Sequence, residues 1–164
     1  MPYYVQIKIE GSEVKGESGD DKHPEWIEIE SFSSGIVQPA TTAAGLGGSK
    51  PEGRSIHSDI VVTKTLDSAS PKLALACAMG KRVDEATFEF CRATGKEHVT
   101  YLKIVIKNGF ISSFSSSGAG QYPSESLSIA FTEIEWEFKQ LNPDDFSEKT
   151  TIGHKYSIKT NTGE

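Results

Sequence analysis

The chain has only two cysteines in 164 residues, Cys77 and Cys91. Their spacing fits neither a zinc site nor a redox pair, and both are expected as reduced, packed thiols. Basic charge is scarce as well: 17 Lys and Arg stand against 23 Asp and Glu, a net charge of −6. A general nucleic-acid binder needs a basic surface to displace counterions, so no nucleic-acid partner is expected. No apolar run approaches the roughly 20 residues that cross a bilayer as a helix, so membrane insertion is not expected. The start, Met1-Pro2-Tyr3-Tyr4-Val5-Gln6, has no basic stretch leading into an apolar one, which argues against an ordinary signal peptide and for cytoplasmic synthesis. At 164 residues with 24% charged side chains, the chain is read as one domain, 1–164, with one sizeable core.

Catalytic patterns are also missing. Gly48 to Ser55 nearly spells a phosphate-binding loop, with Arg54 where lysine belongs. That loop must open a helix, and Ile56 to Val62 reads as strand instead. Gly118-Ala119-Gly120 lacks the third glycine and the helix of a dinucleotide site. Ser112, Ser113, Ser115, Ser116 and Ser117 cluster without a neighbouring base. His23, His57, His98 and His154 show no ligand spacing. No catalytic, cofactor or metal residue is therefore nominated, and no enzyme activity or cofactor is expected.

What the chain does have is alternation. Tyr3, Val5, Ile7 and Ile9 interleave with polar residues, as do Ile27 and Ile29, Phe88 and Phe90, and Leu102, Ile104 and Ile106. Period-two runs of this kind mark half-buried strands. Closure into a small barrel is the economical way to protect their edges. Leu127, Ile129 and Phe131 occupy odd positions, whereas Ile134, Trp136 and Phe138 occupy even ones. Read as one long strand, this needs either a bulge near Thr132 or Glu133, or burial of opposite faces in its two halves, one of them on a neighbouring subunit. Trp26 and Trp136 are expected in the core or at a subunit contact. A hairpin through Gly118 to Pro123 sets Lys103 near Glu137 and Lys107 near Glu133.

A single helix is signalled, from Ser70 to Met79. Ser70 is read as its N-cap, Pro71 as its first position and Gly80 as its left-handed stop. It is expected to close the barrel by burying Leu73, Leu75 or Ala76, and Met79. Pro39 to Ile56 lacks periodicity and is small-residue-rich. It is read as a long extended loop, functional or disordered, and Asn142 to Thr151 as a second, polar loop.

The run Asp67-Ser68-Ala69-Ser70-Pro71-Lys72-Leu73 closely resembles a signature of the haemolysin-coregulated protein (Hcp) family, the tube subunits of the type VI secretion system. In the same order, Ile7 to Ser18, His23 to Ile29, Ala86 to Arg92 with Tyr101 to Ile104, Pro123 to Trp136, and Tyr156 to Asn161 resemble that family's other segments. The resemblance spans essentially the whole chain. It implies a mainly β fold: a small, closed or nearly closed β-barrel with one short α-helix and a long extended loop. It also implies a homohexameric ring, rings stacked into a tube, sheath and spike partners, effector proteins carried in the lumen, and export through the type VI system. The loop residues Gly45, Leu46, Gly47, Gly48, Ser49 and Lys50 lie where the family's ring-stacking loop would be. The competing readings are a phage tail-tube subunit and a secreted β-domain effector enzyme. The end of the chain at Glu164 is read as leaving no room for a fused toxin domain.

Overall fold

A computed structural model describes residues 2–42, 49–51 and 53–164. The chain opens with β1 (Tyr3–Ile9), β2 (Ser12–Val14), β3 (Ile27–Ile29) and β4 (Ser31–Ser33). Four short strands follow: β5 (Ile36–Val37), β6 (Ala40–Thr42), β7 (Ser49–Pro51) and β8 (Ile56–His57). Next come β9 (Ile60–Thr65), α1 (Ser70–Met79), β10 (Arg82–Ala93) and β11 (His98–Ser117). The chain ends with β12 (Ser124–Ala130), β13 (Glu133–Leu141), β14 (Glu148–Ser157) and β15 (Thr162–Gly163).

Antiparallel pairing carries the ladder almost full circle. β11 pairs β10, β10 pairs β1, and β1 pairs β3. The ribbon continues from β3 through Glu30, whose N–H donates to the Thr63 carbonyl at 2.8 Å, into β4 beside β9. β9 then pairs β12, and β12 returns to β11. The result is a nearly closed barrel. Its interior is filled by the inward parity of each strand: Val5, Ile7, Ile27, Ile60, Val62, Phe88, Leu127 and Ile129 are all essentially inaccessible.

The 20-residue β11 is a branch point. Its C-terminal half, Phe110 to Ser117, belongs to the barrel through β12. Its N-terminal half pairs β13, and β13 pairs β14, forming a wing that projects from the barrel wall. The parity switch between Leu127 and Trp136 is resolved here. There is no single long strand; β12 and β13 are separate and divide β11 between them. The cause is visible at Asn108 and Gly109. Asn108 adopts a left-handed φ of 54°. A Cβ on Gly109 would lie 1.7 Å from the Ala130 carbonyl oxygen, so only glycine lets the crossing chain pass. Thr132 fastens the crossing through its N–H to the Lys107 carbonyl at 3.2 Å.

The helix departs from expectation in two ways. Its N-cap is Ala69 with no side-chain cap, and Ser70 is the first helical residue, not the cap. Leu73 and Ala76 enter the barrel's core cluster, but Met79 and Leu75 are 65% and 51% exposed. Ten residues give under three turns, and only the stripe through Leu73 and Ala76 faces inward. Gly80 ends the helix with φ 59°, its N–H donating to the Ala76 and Cys77 carbonyls.

Candidate assembly surfaces

Lys64 is the most informative side chain that sequence reasoning passed over. It continues the inward row Ile60, Val62, Lys64, and Glu125 opens the inward row Glu125, Leu127, Ile129 directly opposite. The Lys64 ammonium lies 2.8 Å from Glu125 Oε2, 2.8 Å from Asp67 Oδ1 and 3.0 Å from Ser70 Oγ, fully buried. The Ser70 hydroxyl donates to Glu125 Oε2 at 2.7 Å. The residue read as a helix cap is thus part of a buried ionic clasp that fixes the start of α1 to the barrel. The signal was present: two charged residues on the apolar parity of two neighbouring strands.

A second buried cluster closes the loop before β3. His23 is sandwiched between Asp20 Oδ1 at 2.8 Å and Glu89 Oε2 at 2.6 Å. It stacks on Tyr4 at 4.3 Å and meets the edge of Trp26. Asp20 also accepts from the His98 imidazole at 2.8 Å. Burial works against the Asp20 carboxylate, but the bonds from His23 and His98 prevail and hold it below its usual range. Burial, reinforced by the Asp20 and Glu28 charges, pushes the Tyr4 phenol up to about 12. These contacts make the cluster a fastener of β1, β10 and the loop. Among the described residues no group of three or more His, Cys, Asp or Glu is arranged to hold a metal. Cys91 is buried and Cys77 half-buried, both free thiols, and burial raises the Cys91 pKa.

The segment expected as an extended loop is a β-arm in its described residues. β5 pairs β8, with Val37 opposite Ile56, and β6 pairs β7. Ser49 and Lys50 lie in β7; Gly45, Leu46, Gly47 and Gly48 lie outside the described residues. The arm's root is tied to the wing. His57 stacks on Tyr156 at 5.1 Å, and Ser55 Oγ reaches His57 Nε2 at 3.1 Å. His57 Nδ1 is buried without a partner, so no carboxylate orients this Ser–His pair as hydrolysis needs. Burial lowers the His57 pKa.

The wing has two unlike faces. On one, Glu85, Lys107 and Glu133 stand in register, as do Glu89, Lys103 and Glu137. This is the register expected for Lys103 and Lys107, though neither ammonium comes within 4 Å of a carboxylate among the described residues. The alternating signs oppose across strands without locking. On the other face Leu102, Phe138 and Ile152 align across β11, β13 and β14. Phe138 is 46% and Ile152 55% exposed. Beside them, β14 is an edge: the chain end covers it at Tyr156 and Ser157 through β15 and at Lys155 through Glu164, and the rest has no strand partner among the described residues.

This architecture is matched by a family model described as type VI secretion system effector, Hcp, over residues 4–138. The chain belongs to the Hcp family of the type VI secretion system. It is 29% identical to protein hcp1 of Pseudomonas aeruginosa over 96% of this chain and 97% of that one. Among solved structures it is similar to one described as a type six secretion system protein, with a TM-score of 0.86 at 28% identity, covering 99% of both chains. It is also similar to Hcp1 from Salmonella typhimurium, with a TM-score of 0.77 at 28% identity over the full length of both. The nearly closed barrel with one short helix is therefore the fold of Hcp proteins.

Proposed function

We propose that this Hcp-family protein is the structural subunit of the type VI secretion inner tube. Six copies close into a ring, rings stack into a tube within the sheath and beneath the spike, and the tube is expelled with effector proteins in its lumen. The protein leaves the cell through the machine it helps to build, and its role is mechanical, not catalytic. The observation that carries this reading is the apolar row from half-buried Leu102 to exposed Phe138 and Ile152 beside the edge of β14. The rest of that row, Ile104, Ile106, Ile134 and half-buried Trp136, packs on the core, and an exposed apolar patch at the end of a wing suits a subunit contact. A contact between two different surfaces closes into a ring when the rotation permits and otherwise propagates as a filament. A second relative supports the same direction: a protein named major exported protein of Pseudomonas aeruginosa is 25% identical over 58% of this chain and 54% of that one. Light scattering of the purified protein at micromolar concentration should give about six chain masses. A monomer at all concentrations and salts would refute the ring.

A further inference from the structure

Among the described residues His23 is the only fully buried imidazole, and both of its ring nitrogens face carboxylates. Nδ1 lies 2.8 Å from Asp20 Oδ1 and Nε2 lies 2.6 Å from Glu89 Oε2. An ionised carboxylate only accepts, and a neutral imidazole has a single N–H. The two bonds together therefore need the doubly protonated, cationic ring. Its surroundings suit a cation. Tyr4 stacks on it at 4.3 Å and 10°, turning the negative face of its π-system toward the charge. The short Glu89 contact is typical of a charge-assisted bond. Both carboxylates are held in place from elsewhere. Asp20 Oδ1 also accepts from the Lys22 and His23 backbone N–H groups at 3.1 Å, and Glu89 Oε2 from the Thr100 hydroxyl at 2.9 Å. The other titratable groups are few. The loop brings Lys22, paired at 2.8 Å with Glu97 of the turn after β10. β11 brings His98, 2.8 Å from Asp20 Oδ2. β3 brings Glu28, in register with Tyr4, and β10 brings Cys91. Tyr4 and Cys91 are both pushed up, chiefly by burial, which leaves the two histidines to exchange protons near neutrality.

We propose that His23 is a proton-operated latch: its cationic ring, clamped between Asp20 and Glu89, fastens residues 15–26 to β10, and loss of one ring proton loosens that loop. The latched state needs the second proton and the released state does not. The latch is therefore at full strength in mild acid, below roughly pH 6.5 where a free imidazole keeps that proton, and it weakens as pH rises. At higher pH one carboxylate is left facing a lone pair in a buried site. On the acid side the latch survives until Asp20 itself takes a proton, and the bonds from His23 and His98 hold that carboxylate below its usual range. The sense is opposite at His57, where burial lowers the pKa and Nδ1 has no partner. The inference is independent of the ring reading, because every group it uses lies in one chain.

The test reads the loop's own backbone bonds in the full-length protein. The Gly16, Ser18 and Glu25 amides donate to the Glu25, Trp26 and Ser18 carbonyls at 2.7–3.0 Å. Their hydrogen-exchange protection factors, corrected for intrinsic exchange, should fall roughly tenfold between about pH 6 and about pH 8.5, the change one linked proton supplies over one pH unit. Glu89→Gln removes the need for the second proton, because its amide can donate to a neutral ring at Nε2 while Nδ1–H still serves Asp20. Protection in that variant should persist and become flat with pH. Nitrogen-15 spectra of histidine-labelled wild-type protein should show both His23 nitrogens protonated at about pH 6, a reading that stands even where Glu89→Gln folds poorly. One unprotonated His23 nitrogen at that pH would overturn the proposal. So would a flat wild-type profile, or an unchanged slope in folded Glu89→Gln. A slope that vanishes in His98→Gln but survives in Glu89→Gln would move the switch to His98 and refute the assignment.

Discussion

A fully buried lysine needs partners, because an isolated buried charge is far more costly than any packing gain can offset. Lys64 has them in Glu125, Asp67 and Ser70. Lys64→Met removes the cation and leaves Glu125 buried with only the Ser70 hydroxyl. This should cost about 3–5 kcal/mol in urea unfolding. Adding Glu125→Leu should recover most of that loss, since an apolar pair of similar volume suits the surrounding core. A double variant no more stable than Lys64→Met would show that the clasp does not act as a unit. Ser70→Ala belongs to the same set: it strips a buried partner from two ions, so a loss of about 1–3 kcal/mol is expected in the same assay. Gly109 is constrained by contact alone. Its neighbour at 1.7 Å would be backbone, which cannot swing away, so Gly109→Ala should cost at least the ~1–3 kcal/mol usual for overpacking. A midpoint equal to wild type would rule out the close crossing.

At the scale of elements, the helix and the arm behave differently. Leu73 is buried at the barrel core and Met79 is not. Leu73→Ala should lower the unfolding free energy by roughly 2–5 kcal/mol, and Met79→Ala should stay within about 0.5 kcal/mol. Equal effects would mean that the helix packs by another face. The arm's root depends on neutral His57, whose burial lowers its pKa. The unfolded or released arm binds a proton near pH 6.5, while the seated arm resists it. Stability of the root is therefore fully present above that pH and is lost as pH falls through the window below it. The hydrogen-exchange protection factors of the Ile56 and His57 amides, corrected for the intrinsic pH dependence of exchange, should fall on acidification to pH 5, and His57→Phe should abolish that dependence. Some of this was legible in the sequence. The strand periods, the Gly80 stop and the Lys103–Glu137 register follow from parity and one hairpin. The arm's strands were not, because Ala40-Thr41-Thr42 and Ser49-Lys50-Pro51 carry no apolar alternation. The break between β12 and β13 was hidden too, since its cause is a glycine on a different strand. The Lys64 clasp was missed because polar residues on an inward parity read as interruptions of a strand.

For the whole molecule the question is what covers the wing. A small barrel satisfies its own core, and Ile104, Ile106 and Ile134 are buried where the wing joins it. Farther out, the same face continues through half-buried Leu102 to Phe138 and Ile152, which are left exposed among the described residues. Exposed apolar residues scattered singly need no explanation, but three in cross-strand register beside an open edge form a continuous strip. A stable lateral contact buries on the order of 1,600 Å² with an apolar centre, and this strip can supply that centre. Phe138→Asp with Ile152→Asp should therefore break the ring. The pair contributes only ~0.2–1 kcal/mol within one subunit, so the monomer should unfold at a denaturant midpoint close to wild type. In the ring each charge would be desolvated once per contact, and six contacts repeat the penalty. Multi-angle scattering should show one chain mass where the unsubstituted protein shows six. If the doubly charged variant keeps its full particle mass, the strip faces solvent in the assembly and the ring closes through another surface.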